Sequence, residues 1–200
     1  MRSQWNWSCD LLSTSLGSFQ SVHTHQAKLL DLLVPEKLET DRLTLRQFCE
    51  EDWRALHEYY SNDLATKFTV GRALTAGETW RTMCSMIGHW YLRGYGPYAV
   101  EEKASGKVLG TVGFWYPNDW PSPEIKWALA PKHWGRGFAS EAARVVQRAS
   151  RQHIPHISLI SFMHSENKAS SNLAVAIGAK FEKVLRFRDA DWCVYRHPDN

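Results

Sequence analysis

The chain has 200 residues, 44% of them hydrophobic and 22% charged, with a formal net charge of +3. That balance excludes a disordered polymer, and the mild charge without a Lys/Arg run gives no reason to expect a nucleic acid partner. No apolar stretch approaches the roughly 20 residues of a membrane span, so a single globular domain with no membrane partner is expected, as a monomer or homodimer.

Four scattered cysteines (Cys9, Cys49, Cys84, Cys193) show neither zinc spacing nor a disulfide framework, and Leu11 and Leu12 are too interrupted for a secretory h-region. Free thiols in the cytoplasm follow from that reading.

Residues 1–34 are rich in Ser, Gln, Thr and His and read as an appended N-terminal extension, partly ordered at most, with an apolar cluster at 27–34. The domain is expected over 35–200. Its first strand is placed at 38–46, where Leu43 and Leu45 alternate. A helix is expected over 50–60 with Trp53, Leu56 and Tyr60 on one face, then a loop through Gly71 to Leu74. Thr75-Ala76-Gly77-Glu78 fits a capping box, and Trp80, Met83, Ile87 and Trp90 recur behind it as a core stripe up to Gly94.

Strands at 97–102 and 108–116 flank a turn-rich loop and predict a hairpin. A loop with three prolines separates it from 124–130, where Ile125, Trp127 and Leu129 alternate with Glu124, Lys126 and Ala128. A helix over 139–153 carries the stripe Phe138, Ala142, Val145, Val146, Ala149. A buried strand is expected at 156–163, then a helix at 167–177 with Ala169, Leu173, Ala176 and Ile177 inward and Gly178 as its stop. Strands at 181–187 and 192–196 close the chain. A single mixed sheet with helices on both faces accommodates this order.

Between strand 124–130 and helix 139–153 lies Pro131-Lys132-His133-Trp134-Gly135-Arg136-Gly137-Phe138-Ala139. A strand, a glycine turn and a helix N-terminus together build an anion cradle, because glycines admit close approach and the first helical turn offers unpaired N–H groups. The turn lacks the Lys-Ser or Lys-Thr pair of a P-loop, and a lone Gly-x-Gly late in the chain does not make a dinucleotide fold. Pyrophosphate binding and ordinary structure both remain open for the turn by itself.

Lys132-x-x-Gly135-x-Gly137, after a strand carrying Glu124 and ending Ala128-Leu129-Ala130-Pro131, resembles the acetyl-CoA motif of the GNAT N-acetyltransferases. The opening Leu38-Glu39-Thr40-Asp41-Arg42-Leu43 and the later Asn167-Lys168-Ala169-Ser170 are similar to the branch that includes ribosomal-protein N-terminal acetyltransferases. The resemblance covers roughly residues 35–197. Lys132 departs from the usual Gln or Arg but keeps a donor.

The resemblance implies an α/β (α+β) fold with one mixed, mostly antiparallel sheet of about seven strands and helices on both faces. It implies acetyl-CoA as co-substrate, no metal, and direct transfer to a primary amine of a protein N-terminus or small molecule. Lys132, Gly135, Arg136, Gly137, Phe138 and Ala139 would hold the pyrophosphate. Ala128, Leu129 and Ala130 would pair with the pantetheine arm and polarise the thioester, and Asn167 and Ser170 would contact the cofactor near the thiol. Glu124 matches the family position for a base, about 13 Å along the strand from Ala128, which suggests a water relay. The family's tyrosine acid, seven residues after the motif asparagine, is Ala174 here, leaving Ser170 or water to protonate the thiolate.

The histidines are not at metal spacing with any carboxylate. Phe68, Thr69 and Trp90 are candidates for the acceptor cleft, while Trp115, Tyr116 and Trp120 either line it or cap the sheet edge. The competing reading is a CoA-binding sensor or interaction module without catalysis.

Overall fold

A computed structural model describes residues 32–198. Its frame is one sheet of eight strands: β1 (Lys37–Glu39), β2 (Leu43–Arg46), β3 (Pro97–Glu102), β4 (Lys107–Trp115), β5 (Glu124–Leu129), β6 (Ile160–His164), β7 (Lys180–Phe187) and β8 (Ala190–Arg196), in the spatial order β1-β2-β3-β4-β5-β6-β8-β7. Every neighbouring pair is antiparallel except β5 and β6.

The eighth strand comes from a turn inside 38–46. The Leu43 N–H donates to Thr40 Oγ1 at 2.9 Å, and Thr-Asp-Arg makes a tight hairpin that pairs Leu38 with Leu45. Residues 32–34 reach back onto the domain: the Leu33 N–H donates to Gly94 O and Val34 is buried. The remainder of the N-terminal extension lies outside the described residues.

Helices α1 (Trp53–Tyr60) and α3 (Ala76–Arg93) cover one face; α4 (Phe138–His153) and α5 (Lys168–Ala176) cover the other. A short helix α2 (Asp63–Thr66), capped by Asn62, occupies part of the expected loop. The alternation of β5 sorts its side chains as expected: Ile125 and Leu129 join the α4 core, while Ala128 joins the α1 and α3 core. The α4 stripe (Phe138, Ala142, Val145, Val146, Ala149) is buried throughout.

Two stripes sit differently. On α3 the capping box forms, but the buried residues are Thr79, Met83, Met86, His89 and Trp90, while Trp80 and Ile87 are exposed. Faces that share Met83 and Trp90 fit the same period, and docking on the sheet chose the one offset by a position. On α5 Ala169 and Ala176 are exposed and Ser171 and Ala174 are buried. The strand expected from 156 begins at Ile160, because 155–157 turn the chain from α4 back to the sheet.

Between β5 and β6 the ladder holds one pair, Glu124 with Ile160. Beyond it the strands part, and a buried polar chain fixes the fork. Ser161 Oγ donates to Ile125 O at 2.9 Å, and His197 Nε2 lies 3.0 Å from that Ser161 Oγ. Ser161 has one proton, so His197 Nε2 carries the donor and Nδ1 accepts from Gln147 Nε2 at 3.1 Å.

Burial, with the charges of Arg151 and Arg196, pushes His197 down to about 4. A depressed histidine contributes stability that is present above its unfolded value near 6.5 and lost as pH falls toward the folded value. Urea unfolding of the wild type and His197→Gln should therefore show a stability difference that shrinks by roughly 3 kcal/mol between pH 7 and pH 4. A difference independent of pH would contradict the neutral, buried imidazole.

Candidate active site

The glycine turn begins with a single 3-10 turn, Pro131–His133. Gly135 (φ 72°) and Gly137 (φ 79°) then adopt the left-handed region that residues with a Cβ avoid. Gly137 is the N-cap of α4 and offers no side chain. The first helical bond runs from the Glu141 N–H to Gly137 O, so the N–H groups of Phe138, Ala139 and Ser140 stand at an uncapped positive end.

The β1–β2 hairpin buttresses this turn. Arg42 donates from Nε to Glu141 Oε2 at 2.7 Å and from Nη1 to Arg136 O at 3.1 Å, and its guanidinium lies 4.5 Å from the centroid of the Phe138 ring. Thr40 donates to Glu141 Oε1 at 2.5 Å. Against its burial, these bonds hold the Glu141 carboxyl below the usual range. Two stretches nearly a hundred residues apart in sequence thus form one clamp. On the other side the Trp134 indole donates to Leu129 O at 2.7 Å.

A groove of about 540 Å³ runs from Gly135, Gly137, Phe138 and Ala139 to Ala128 and Leu129 on β5 and to Asn167, Ser170 and Leu173 beside the fork. Ala169 and Ala176 face this groove, which accounts for their exposure on α5. His133, unassigned from the sequence, also lines it; the ring is buried and its Nδ1 has no partner. Burial and the neighbouring Lys132 charge lower its pKa, which keeps the imidazole neutral.

Three residues named from the sequence lie off the groove lining. Lys132 pairs with Glu58 at 2.5 Å. Arg136 pairs with Glu102 at 3.2 Å and stacks on Phe138. The Ala130 N–H donates to Leu109 O on β4.

That last bond sets the main-chain phase of β5. Strand groups alternate sides, so residues 128 and 130 address β4, while 125, 127 and 129 address the fork. Ile125 O meets Ser161 there and Leu129 O meets Trp134. The free main-chain donors at the fork are consequently those of Trp127 and Leu129. Trp127 could not be picked from its side chain; the strand register decides it.

A second cavity of about 320 Å³ opens on the α1 and α3 side of the sheet. It meets the groove at Trp127, Ala128, Asn167 and Ser170, and both are bounded by Tyr59, Phe68 and Thr69. Trp115 and Trp120 line it, whereas Trp90 is buried with its indole donating to Pro97 O, and the Tyr116 ring lies under Arg93.

Glu124 lies in the wall of this cavity and is only 4% exposed. Its oxygens accept from Trp120 Nε1 at 2.9 Å and from the Phe162 N–H at 3.1 Å. Burial raises its carboxyl to about 7, against the pull of Lys126; burial lowers the Lys126 ammonium to about 8, against the pull of Glu124.

Asn167 caps α5 by accepting from the Ser170 N–H at 3.2 Å. Ser170 Oγ accepts from the Trp127 indole at 3.1 Å, which leaves the hydroxyl proton free. Ala174 is fully buried beside Met163 and Ala179, so no acid acts from that position. Among the described residues no cluster of three or more His, Cys, Asp or Glu side chains could hold a metal ion.

The arrangement was compared with known proteins. A family model described as an acetyltransferase (GNAT) domain matches residues 42–180. The uncharacterized N-acetyltransferase YoaA of Bacillus subtilis is 31% identical over 153 residues, 74% of this chain and 85% of YoaA. An acetyltransferase structure from Agrobacterium tumefaciens superposes with a TM-score of 0.72 at 28% identity, covering 81% of this chain and 94% of that one. RimL, a ribosomal L7/L12 alpha-N-protein acetyltransferase solved with coenzyme A, superposes with a TM-score of 0.65 at 18% identity over 82% of this chain and 96% of its own, a likeness of fold.

Proposed function

The chain belongs to the GNAT acetyltransferase domain family, and on that premise we propose that it moves an acetyl group from acetyl-CoA to a primary amine by direct transfer in a ternary complex. One observation carries the proposal: the groove that begins at the uncapped α4 terminus opens, at Trp127 and Ser170, into a separate pocket holding a buried carboxylate. Two substrates can therefore meet at the fork from opposite sides. The open face of α5, the left-handed glycines and the unpartnered His133 nitrogen fit a CoA molecule lying in the groove.

Acetyl-CoA, when bound, supplies an activated thioester. The N–H groups of Phe138, Ala139 and Ser140 hold its pyrophosphate, with Gly135 and Gly137 giving room. Trp127 and Leu129 offer main-chain donors to the pantetheine arm and to the carbonyl oxygen. Glu124 takes up, through water, the proton the amine loses, because it stands about 13 Å along β5 from Ala128. The Ser170 hydroxyl, held in place by Trp127 and by the Asn167 cap, donates a hydrogen bond to the leaving sulfur, and the proton that passes to the thiolate is replaced on Ser170 from water.

The likeness to the ribosomal-protein branch supports a protein N-terminus as one acceptor class beside small amines, and both belong in the assay. The free thiols Cys49, Cys84 and Cys193 are in keeping with action in the cytoplasm. Incubation with labelled acetyl-CoA and a panel of N-terminal peptides, polyamines and amino acids should transfer label to at least one amine. Binding of CoA with no transfer would favour the non-catalytic module.

The clamp around the turn gives a further prediction. Arg42→Met should raise KM for acetyl-CoA about tenfold with little change in kcat, and Arg42→Lys should recover only part, since an ammonium cannot bridge Glu141 and the Arg136 carbonyl at once. Steady-state kinetics with acetyl-CoA varied checks this; an unchanged KM would remove Arg42 from cofactor positioning.

A further inference from the structure

The acceptor pocket has its own unspent chemistry. Glu124 is already served by two donors, the Trp120 indole and the Phe162 N–H. Asp119, at the rim, is paired with Arg188 at 2.9 Å. Tyr59 and Thr69 bond to each other at 3.2 Å. Both carboxylates of the wall, and the Tyr59 and Thr69 hydroxyls, thus have partners within the protein.

Lys126 does not. It lies two residues from Glu124 on the same face of β5, yet forms no ion pair with any described carboxylate; its ammonium sits over the Trp115 ring, 4.9 Å from the centroid. The Trp192 indole, in the opposite wall, is buried with its N–H unpartnered. What the pocket lacks is an acceptor of hydrogen bonds, preferably a charged one. Much of the remaining wall is apolar or aromatic, including Phe68, Trp120 and Phe162, and closes a space suited to a small apolar body.

We propose that the acceptor is an amine that also carries a carboxylate or similar oxyanion on an apolar or aromatic body, with the anionic group seated on Lys126. The position of Lys126 between Glu124 and Ala128 argues the same way from charge: a cation there repels a polyamine or a lysine-rich peptide. An acceptor's oxyanion gives the ammonium a partner and leaves the acceptor nitrogen directed along β5 toward the fork. This inference rests on the reading of the site as an acetyltransferase, and it fixes which amines that site selects.

The test uses matched amines that differ only in the carboxylate: phenylalanine against phenethylamine, and leucine against isoamylamine, with spermidine as the polycation. Two readouts are taken, kcat/KM for acetyl transfer and equilibrium binding to the CoA-loaded protein by tryptophan fluorescence. The carboxylate-bearing member of each pair should be favoured at least tenfold in both. Lys126→Met should erase that preference with CoA affinity unchanged, and Lys126→Arg should retain much of it. Equal or better performance of the decarboxylated amines, or a preference that survives Lys126→Met, overturns the inference. If no amine is acetylated while CoA binds, the enzymatic reading fails; the binding preference still decides the assignment of Lys126.

Discussion

Gly137→Val is expected to weaken acetyl-CoA binding by roughly a hundredfold or more while the protein stays folded. The residue sits at φ 79°, where an L side chain costs about 1–2 kcal/mol and a β-branched one more. A Cβ at this position would point at Arg42 Nη2, 3.5 Å away, the same guanidinium that clamps Glu141 and the Arg136 carbonyl. Relieving the strain by rotating the backbone turns the Phe138 and Ala139 N–H groups away from the groove, and each donor lost to a pyrophosphate is worth about 1.5–3 kcal/mol. Gly135 differs in an instructive way. Its φ is 72°, yet a Cβ there meets nothing within 4 Å, so Gly135→Ala carries the conformational cost alone and should lose about tenfold. Asparagine tolerates the left-handed region, so Gly137→Asn should fall between the two. Calorimetric titration with CoA gives the affinities, and circular dichroism verifies the fold. Undiminished affinity in Gly137→Val would remove the turn as the pyrophosphate cradle.

The strand, glycine turn and helix around Gly137 were legible because their features are local. A glycine pair between an alternating strand and an amphipathic helix is written in consecutive residues, and the α4 stripe has a period with one solution. The sites that were not legible depend on contacts between distant segments. Thr40 and Arg42 read as part of a strand; only their bonds to Glu141 show why a turn is needed there. Lys132 lies inside the motif, but Glu58 on α1 draws its side chain away from the groove lining. The main chain of Ala130 faces β4 and that of Trp127 faces the fork because the bond to Leu109 sets the phase of β5, a matter of register that no side chain announces. The exposed Ala169 and Ala176 looked like core by period. They are the apolar wall of a groove, and a groove wall carries the same signal in sequence as a core face. Lys126 shares the face of Glu124 by simple alternation, and its significance appears only once every carboxylate around it is found engaged.

Glu124→Gln is the second large effect, and it should separate activity from stability in opposite directions. As the base, Glu124 works only when ionised. With its carboxyl raised to about 7, kcat/KM should climb with pH through neutrality in the wild type. Glutamine keeps the shape, but its single carbonyl oxygen can accept from only one of the Trp120 indole and the Phe162 N–H, and it cannot take a proton, so kcat should fall about 10²–10⁴-fold and the limb near pH 7 should vanish, with CoA affinity little changed. The linkage sign runs the other way. A carboxyl whose folded pKa lies above its unfolded value near 4.5 contributes stability below that value, and the contribution is lost as pH rises through the folded value. Ionised Glu124 is therefore a liability to the fold at alkaline pH, relieved in part by the nearby Lys126 charge. Urea unfolding should find the stability of Glu124→Gln relative to the wild type rising by on the order of 2 kcal/mol between pH 5 and pH 8.5, on top of a pH-independent cost for the one donor the amide cannot serve. A variant that is less active and whose stability relative to the wild type does not rise with pH would mark Glu124 as a structural carboxylate holding Trp120 and the Phe162 strand in place. A variant that loses rate and whose relative stability rises with pH would show a buried charge kept at the acceptor pocket at the expense of the fold, which a packing role does not explain.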